Sequence, residues 1–157
     1  MNFFVPEIRE KDPAQNTWIK HKPNLPTIAM FTIEQINDIH EKLGTMKDFL
    51  SYVTELKLLG VEKYDSYLTD GHSQYFGAEG YYVESAPVHE KLAIADNADK
   101  ESFIRHLSLH EQRKTDYMTM SRGLAESGIE KWTVDTNAAT ISYCDKKGDQ
   151  LLVEAIV

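Results

Sequence analysis

The densest cluster of chemically capable side chains is the run Asp70-Gly71-His72, followed at once by Tyr75, Phe76 and Gly77, with Tyr67 just upstream. A carboxylate two residues before an imidazole can orient the ring and hold it charged or in one tautomer. That would give a weak acid-base group, or an anion-binding group, beside an aromatic wall. The same run also makes a hairpin turn, in which Asp70 accepts from backbone amides, Gly71 takes a positive φ and His72 stands exposed. The turn is the plainer account. His106 and His110 stand four apart, so on a helix they share one side and could grip a metal, with Glu111 adjacent. A third ligand is missing and the intervening residues are Leu-Ser-Leu, so the expectation is two solvent-facing histidines, no metal site and no cofactor.

Tyr64, Tyr67, Tyr75, Tyr81, Tyr82 and Tyr143, with Trp132, give the strand-like segments an aromatic load. Such a load suits a ligand groove or partner surface and equally suits packing a sheet against helices, the role expected for Tyr64 and Trp132. Met118 and Met120 cannot both face the core from one helix. Cys144 is followed by Asp145, and a neighbouring carboxylate raises a thiol pKa and blunts nucleophilicity. No phosphate-binding glycine loop, Gly-x-Ser-x-Gly elbow or dinucleotide fingerprint occurs. The 25 carboxylates form no pair whose spacing marks glycosidase chemistry.

The elements that must carry these residues are legible from periodicity and punctuation. Thr32 and Gln35 have capping-box spacing, and Ile33, Ile36, Ile39 and Leu43 keep one helical face apolar as far as Gly44. A second helix, capped by Thr45, carries Phe49, Leu50, Val53 and Leu56 and ends at Gly60. Strand formers then run from Val61 to Leu68, around Tyr75-Phe76, and from Tyr81 to Glu84. The second half repeats the order. A helix from about Asp99 carries Phe103, Ile104 and Leu107, and another from about Asp116 carries Tyr117, Met118, Met120 and Leu124 up to Gly128. Strand-like runs at Ile129–Thr136, Thr140–Cys144 and Leu151–Ile156 follow, joined at Asn137-Ala138 and by the turn from Asp145 to Gly148.

An offset of 68 residues, without a gap, lays LKLLGVEKY (56 to 64) on LAESGIEKW (124 to 132) and pairs Asp48 with Asp116, Tyr75 with Tyr143 and Gly80 with Gly148. The predicted fold is therefore α+β. Two diverged helix-helix-strand units, about 31–97 and 98–157, pack with pseudo-twofold symmetry, their antiparallel sheet covered by helices. Four of the five prolines fall in residues 1–29, which read as an extended arm ahead of one compact domain at 30–157.

Composition narrows the function classes. With 157 residues, 41% of them hydrophobic and 27% charged, one domain can bury its own core. The single cysteine excludes an internal disulfide, and neither a signal-peptide core nor a membrane-spanning run is present, so a cytoplasmic protein is expected. A net charge of −8 opposes nucleic-acid binding. The charge is uneven: residues 1–29 carry +1 and the body −9, its acids interspersed with lysines.

From Met30 to Val157 the chain resembles the YdfO/YbcV-like family of uncharacterised bacterial and prophage-borne proteins. The resemblance rests on the run GVEKYDSYLTDGHSQYFGAEGY, the IADN and KTDY segments and SGIEKWTVD. It implies a compact α+β domain and, for some members labelled envelope protein, a phage-related origin; it carries no catalytic residues to transfer. The leading functional expectation is a non-enzymatic binding or interaction module, self-associating or with a protein partner, and without nucleic acid or membrane. The alternative is a small-molecule-binding protein or enzyme with a pocket at the seam of the two units, lined by Asp70, His72, Tyr75 and Tyr67.

Overall fold

The computed structural model of the chain describes residues 10–12, 17–19, 30–43 and 49–157. Within the proline-containing arm, β1 (Glu10–Asp12) and β2 (Thr17–Ile19) pair antiparallel as a two-stranded sheet. The remainder of the arm, Gly44 and the Thr45 cap lie outside the described residues.

The body opens with α1 (Ile33–Leu43) and α2 (Phe49–Leu59). The capping box forms as expected: the Thr32 amide donates to Gln35 Oε1 (2.8 Å) and the Gln35 amide to Thr32 Oγ1 (3.2 Å), occupying two donors that the first turn leaves free. A meander of β3 (Lys63–Tyr67), β4 (Ser73–Phe76) and β5 (Tyr82–Glu84) follows. Then come α3 (Lys100–Glu111) and α4 (Tyr117–Glu126), capped by Asp99 and Asp116, whose carboxylates accept from the Ser102 and Thr119 amides. A second meander, β6 (Ile129–Asp135), β7 (Thr140–Asp145) and β8 (Gln150–Ala155), completes the order.

All six body strands form one antiparallel sheet in the order β5-β4-β3-β6-β7-β8, so the fold is α+β as predicted. Side chains alternate across a strand, and Tyr64, Tyr75, Val83 and Val134 share a face that α1 and α2 bury through Ile33, Ile36, Tyr52, Val53 and Leu56. On the same face α3 and α4 cover Leu68, Ile129 and Tyr143 with Phe103, Leu107, Met120 and Leu124. Trp132 and Ile141 pack against both clusters and join them. Leu50 and Ile104, expected on the apolar stripes, are instead 40% and 39% exposed. Each stands one position beyond the stripe, about 100° round the helix, and Tyr52 takes the inward place on α2.

The register repeats. Between β3 and β4, Tyr64 faces Tyr75 and Asp65 faces Gln74; 68 residues further on, Trp132 faces Tyr143 and Thr133 faces Ser142. In the central ladder Asp65 faces Thr133, its own counterpart at that offset, and the flanking pairs Tyr64↔Val134 and Ser66↔Trp132 exchange under the same shift.

Gly128 closes α4 at φ 87, a left-handed conformation that L side chains resist, and its backbone is pressed against the chain before α3. An added Cβ would stand 2.8 Å from both Ala98 Cα and the Asn97 carbonyl oxygen, whereas at Gly148, φ 84, it would meet nothing within 4 Å. Gly148→Ala should cost about 1–2 kcal/mol of backbone strain. Gly128→Ala should add to that about 1–3 kcal/mol of overpacking. Urea-unfolding midpoints of the two variants check this, and equal losses would contradict the close approach.

Candidate functional site

The β3–β4 turn brings three of the four predicted site residues together. The Asp70 carboxylate accepts from the His72 amide (3.0 Å) and from His72 Nδ1, so the turn residue also fixes the ring. His72 Nε2 lies 3.3 Å from Glu84 Oε1 on β5, and the imidazole stacks on the Tyr67 ring with centroids 4.6 Å apart and planes within 7°. His72 was expected to stand exposed. Its side chain is only 21% exposed, because Tyr67 covers one ring face and carboxylates face both nitrogens.

Tyr75 is not part of this group. Strand alternation sends Gln74 and Phe76 to the face opposite the helices and Tyr75 to the helix side, where it is 5% exposed and packs on Tyr64 at 5.2 Å between ring centroids. The residue that extends the site is Lys131 on β6, whose Nζ is 5.7 Å from the Tyr67 ring centroid and 3.3 Å from Asp65 Oδ2. Thr133 Oγ1 donates to Asp65 Oδ1 at 2.5 Å. Asp65 is 4% exposed despite carrying a carboxylate, and it occupies the centre of the β3–β6 ladder. Asp65, Glu84, Lys131 and Thr133 were missed from the sequence, where each is one polar residue in a strand. The usable signal was that Asp65 and Thr133 are related by the 68-residue offset.

The electrostatics describe held charges rather than primed nucleophiles. Burial works against the Asp70 charge, but hydrogen bonds from the His72 ring and amide outweigh it and keep the carboxyl below its usual range. Burial alone would lower the Lys131 ammonium; the Asp65 charge and hydrogen bond win and hold it above its ordinary value. At Cys144, Lys131's cross-strand neighbour, burial raises the thiol, with Asp65, Asp145 and Glu130 adding to the rise and Lys131 opposing it. The rise was expected from Asp145 alone, and burial is the larger cause.

The two helical histidines are not solvent-facing. The His106 ring lies on Gly123 of α4 so closely that a Cβ there would overlap it, and His110 Nδ1 donates to the Thr115 carbonyl at 3.1 Å. The short α3–α4 connection folds α4 back over that side of α3, so both rings serve the helix pair. Among the described residues, no three His, Cys, Asp or Glu side chains converge as a metal site would require, and no helix is long and apolar enough to cross a membrane.

Comparison with known families places this architecture. Residues 37–155 match the protein family of unknown function DUF1398, and the chain belongs to that family. Comparison with curated proteins gave no match.

Because the folded state holds Asp70 below its unfolded pKa, its contribution to stability is complete above the unfolded value of about 3.9 and disappears as pH falls through the folded one. Asp70→Asn should therefore be less stable than wild type at pH 7, and the gap in urea midpoint should close below about pH 4. A gap that persists unchanged at pH 2.5 would show that the Asp70 charge does not matter.

Proposed function

We propose that this protein is a non-enzymatic binding module, made by duplication of one helix-helix-strand unit, that presents the sheet face opposite its helices to a ligand or protein partner. Duplication is supported by the shared registers and by helix limits, α2 beginning at 49 and α4 at 117, α1 ending at 43 and α3 at 111. The run at 60 to 81 supports the finer placing among YdfO/YbcV-like proteins of bacterial and prophage origin.

One observation carries the functional reading. Where the first unit has Asp70-Gly71-His72, the second has Ala138-Ala139-Thr140, and Ala139 keeps the left-handed φ, 53° against 78° at Gly71. This turn does not need an Asp-His pair. The pair, its Glu84 partner and Tyr67 thus carry chemistry that the backbone conformation of the turn does not require, as recognition residues do. Catalysis is disfavoured because the lysine and the thiol nearest the seam are respectively held charged and held neutral.

Two measurements test the reading. Native mass spectrometry of protein purified from its own host should show a retained ligand or partner that is lost from the His72→Ala and Tyr67→Ala variants while both remain folded. A hydrolase and phosphatase substrate panel should show no turnover that depends on His72. Turnover abolished by His72→Ala would replace the binding module with an enzyme.

A further inference from the structure

The six-stranded sheet ends in two unlike edges, β5 and β8. β5 is three residues long, and the chain leaves it through Ser85-Ala86-Pro87. There the Ser73 amide bonds Ser85 Oγ (2.8 Å), so the ladder stops. β8 runs for six residues and holds no proline or lysine. Among the described residues it pairs with β7 alone, while β1 and β2 form a sheet of their own. Gln74 and Ser142 correspond at the 68-residue offset, and their edge partners are Glu84 and Val153. A charged side chain therefore marks one edge, and an apolar one, 52% exposed, marks the other. Short length, an outward charge and proline keep an edge from templating another strand, and β8 carries none of them on the open face.

The ladder also fixes which way the backbone groups of β8 point. The Ile156 amide donates to the Ala139 carbonyl (2.8 Å), which makes these two residues a hydrogen-bonded pair. Bonded and non-bonded pairs alternate along an antiparallel ladder. The pairs Ala155↔Thr140 and Val153↔Ser142 are therefore non-bonded, and the N–H and C=O of Val153 and Ala155 point outward from the sheet. The register shift between Tyr143 and Cys144 disturbs only the start of the strand. Water serves outward groups adequately in a monomer; the apolar side chains beside them are what favour a protein strand.

We propose that β8 pairs antiparallel with β8 of a second copy across a two-fold axis at Val153, joining two six-stranded sheets into one. In that register the two Val153 residues exchange N–H···O bonds and Ala155 meets Leu151. Leu152 meets Glu154, so the carboxylate avoids its own copy, whereas an axis at Glu154 would oppose two like charges. A one-residue slip is excluded, because it would set an outward-bonding residue against an inward-bonding one. Self-complementarity thus names the occupant. The inference stands apart from the sheet-face reading above, since His72 lies toward the other edge of the sheet.

Six residues make a small interface, so association in the micromolar range is expected. Sedimentation velocity of the full chain over about 1–500 μM should show the 18.0 kDa monomer passing to twice that mass. Val153→Lys sets two ammonium groups face to face, at a half-exposed position that tolerates them in the monomer. Ala155→Pro removes an outward amide that the fold itself does not use. Each should weaken association about tenfold or more while the far-UV circular dichroism stays unchanged. Tyr82→Lys, on the opposite edge strand and 55% exposed, should associate like wild type. Solvent exchange of the Val153 and Ala155 amides should slow as protein concentration rises. A wild-type chain that stays monomeric throughout, its edge left to water or taken by a strand of another host protein, would overturn the proposal. A dimer left intact by Val153→Lys, or one lost in folded Tyr82→Lys, would overturn it equally.

Discussion

Two three-stranded meanders, each apolar on one face, would leave β3 and β6 as open edges whose amides and carbonyls need partners. Pairing those two strands with each other closes both edges and converts two small sheets into one of six strands. The remaining architecture follows from this ladder. It places Tyr64 and Val134 side by side under α1 and α2, and Ser66 beside Trp132, which spans both apolar clusters. It also fixes the opposite face, where Asp65 meets Thr133 and Tyr67 meets Lys131. A nearly buried carboxylate at that joint is tolerable because Thr133 and Lys131 complete its hydrogen bonding.

Positions 68 residues apart can be compared directly, because the strand registers and helix limits correspond at that offset. Positions alike in both units, such as Leu56 and Leu124 or Tyr75 and Tyr143, fill the same buried places. Positions that differ in chemistry while the backbone stays the same are open to another explanation. Asp70 and His72 against Ala138 and Thr140 are one such set, and Tyr117 and Ser121 against Phe49 and Val53 are another. Tyr117 lies beside the His89 ring, which in turn packs on Gly71 of the β3–β4 turn.

Local signals read well from the chain. The Thr32–Gln35 box depends on atoms three residues apart and formed as expected, and the helices expected from about Asp99 and Asp116 start there, capped by those same residues. The Asp70 turn was also local, and its bond to the His72 amide was anticipated. Facing was harder. Tyr67 and Tyr75 look alike in sequence, yet one stacks on His72 and the other lies in the core, because adjacent strand positions alternate and the pairing decides which parity points inward. The same applies to His106 and His110, whose surroundings are set by where α4 returns.

The sequence alone determined the α+β class, the order and approximate limits of the helices and strands, and the 68-residue correspondence, because propensity, capping and periodicity act over a few neighbouring residues. Tertiary structure decided the central ladder, the Asp65-Lys131-Thr133 group 66 to 68 residues apart in the chain, and the packing of the His89 ring between Gly71 and Tyr117. Those depend on which distant backbones pair and which side chains lose water together, and no local pattern of residue types encodes either.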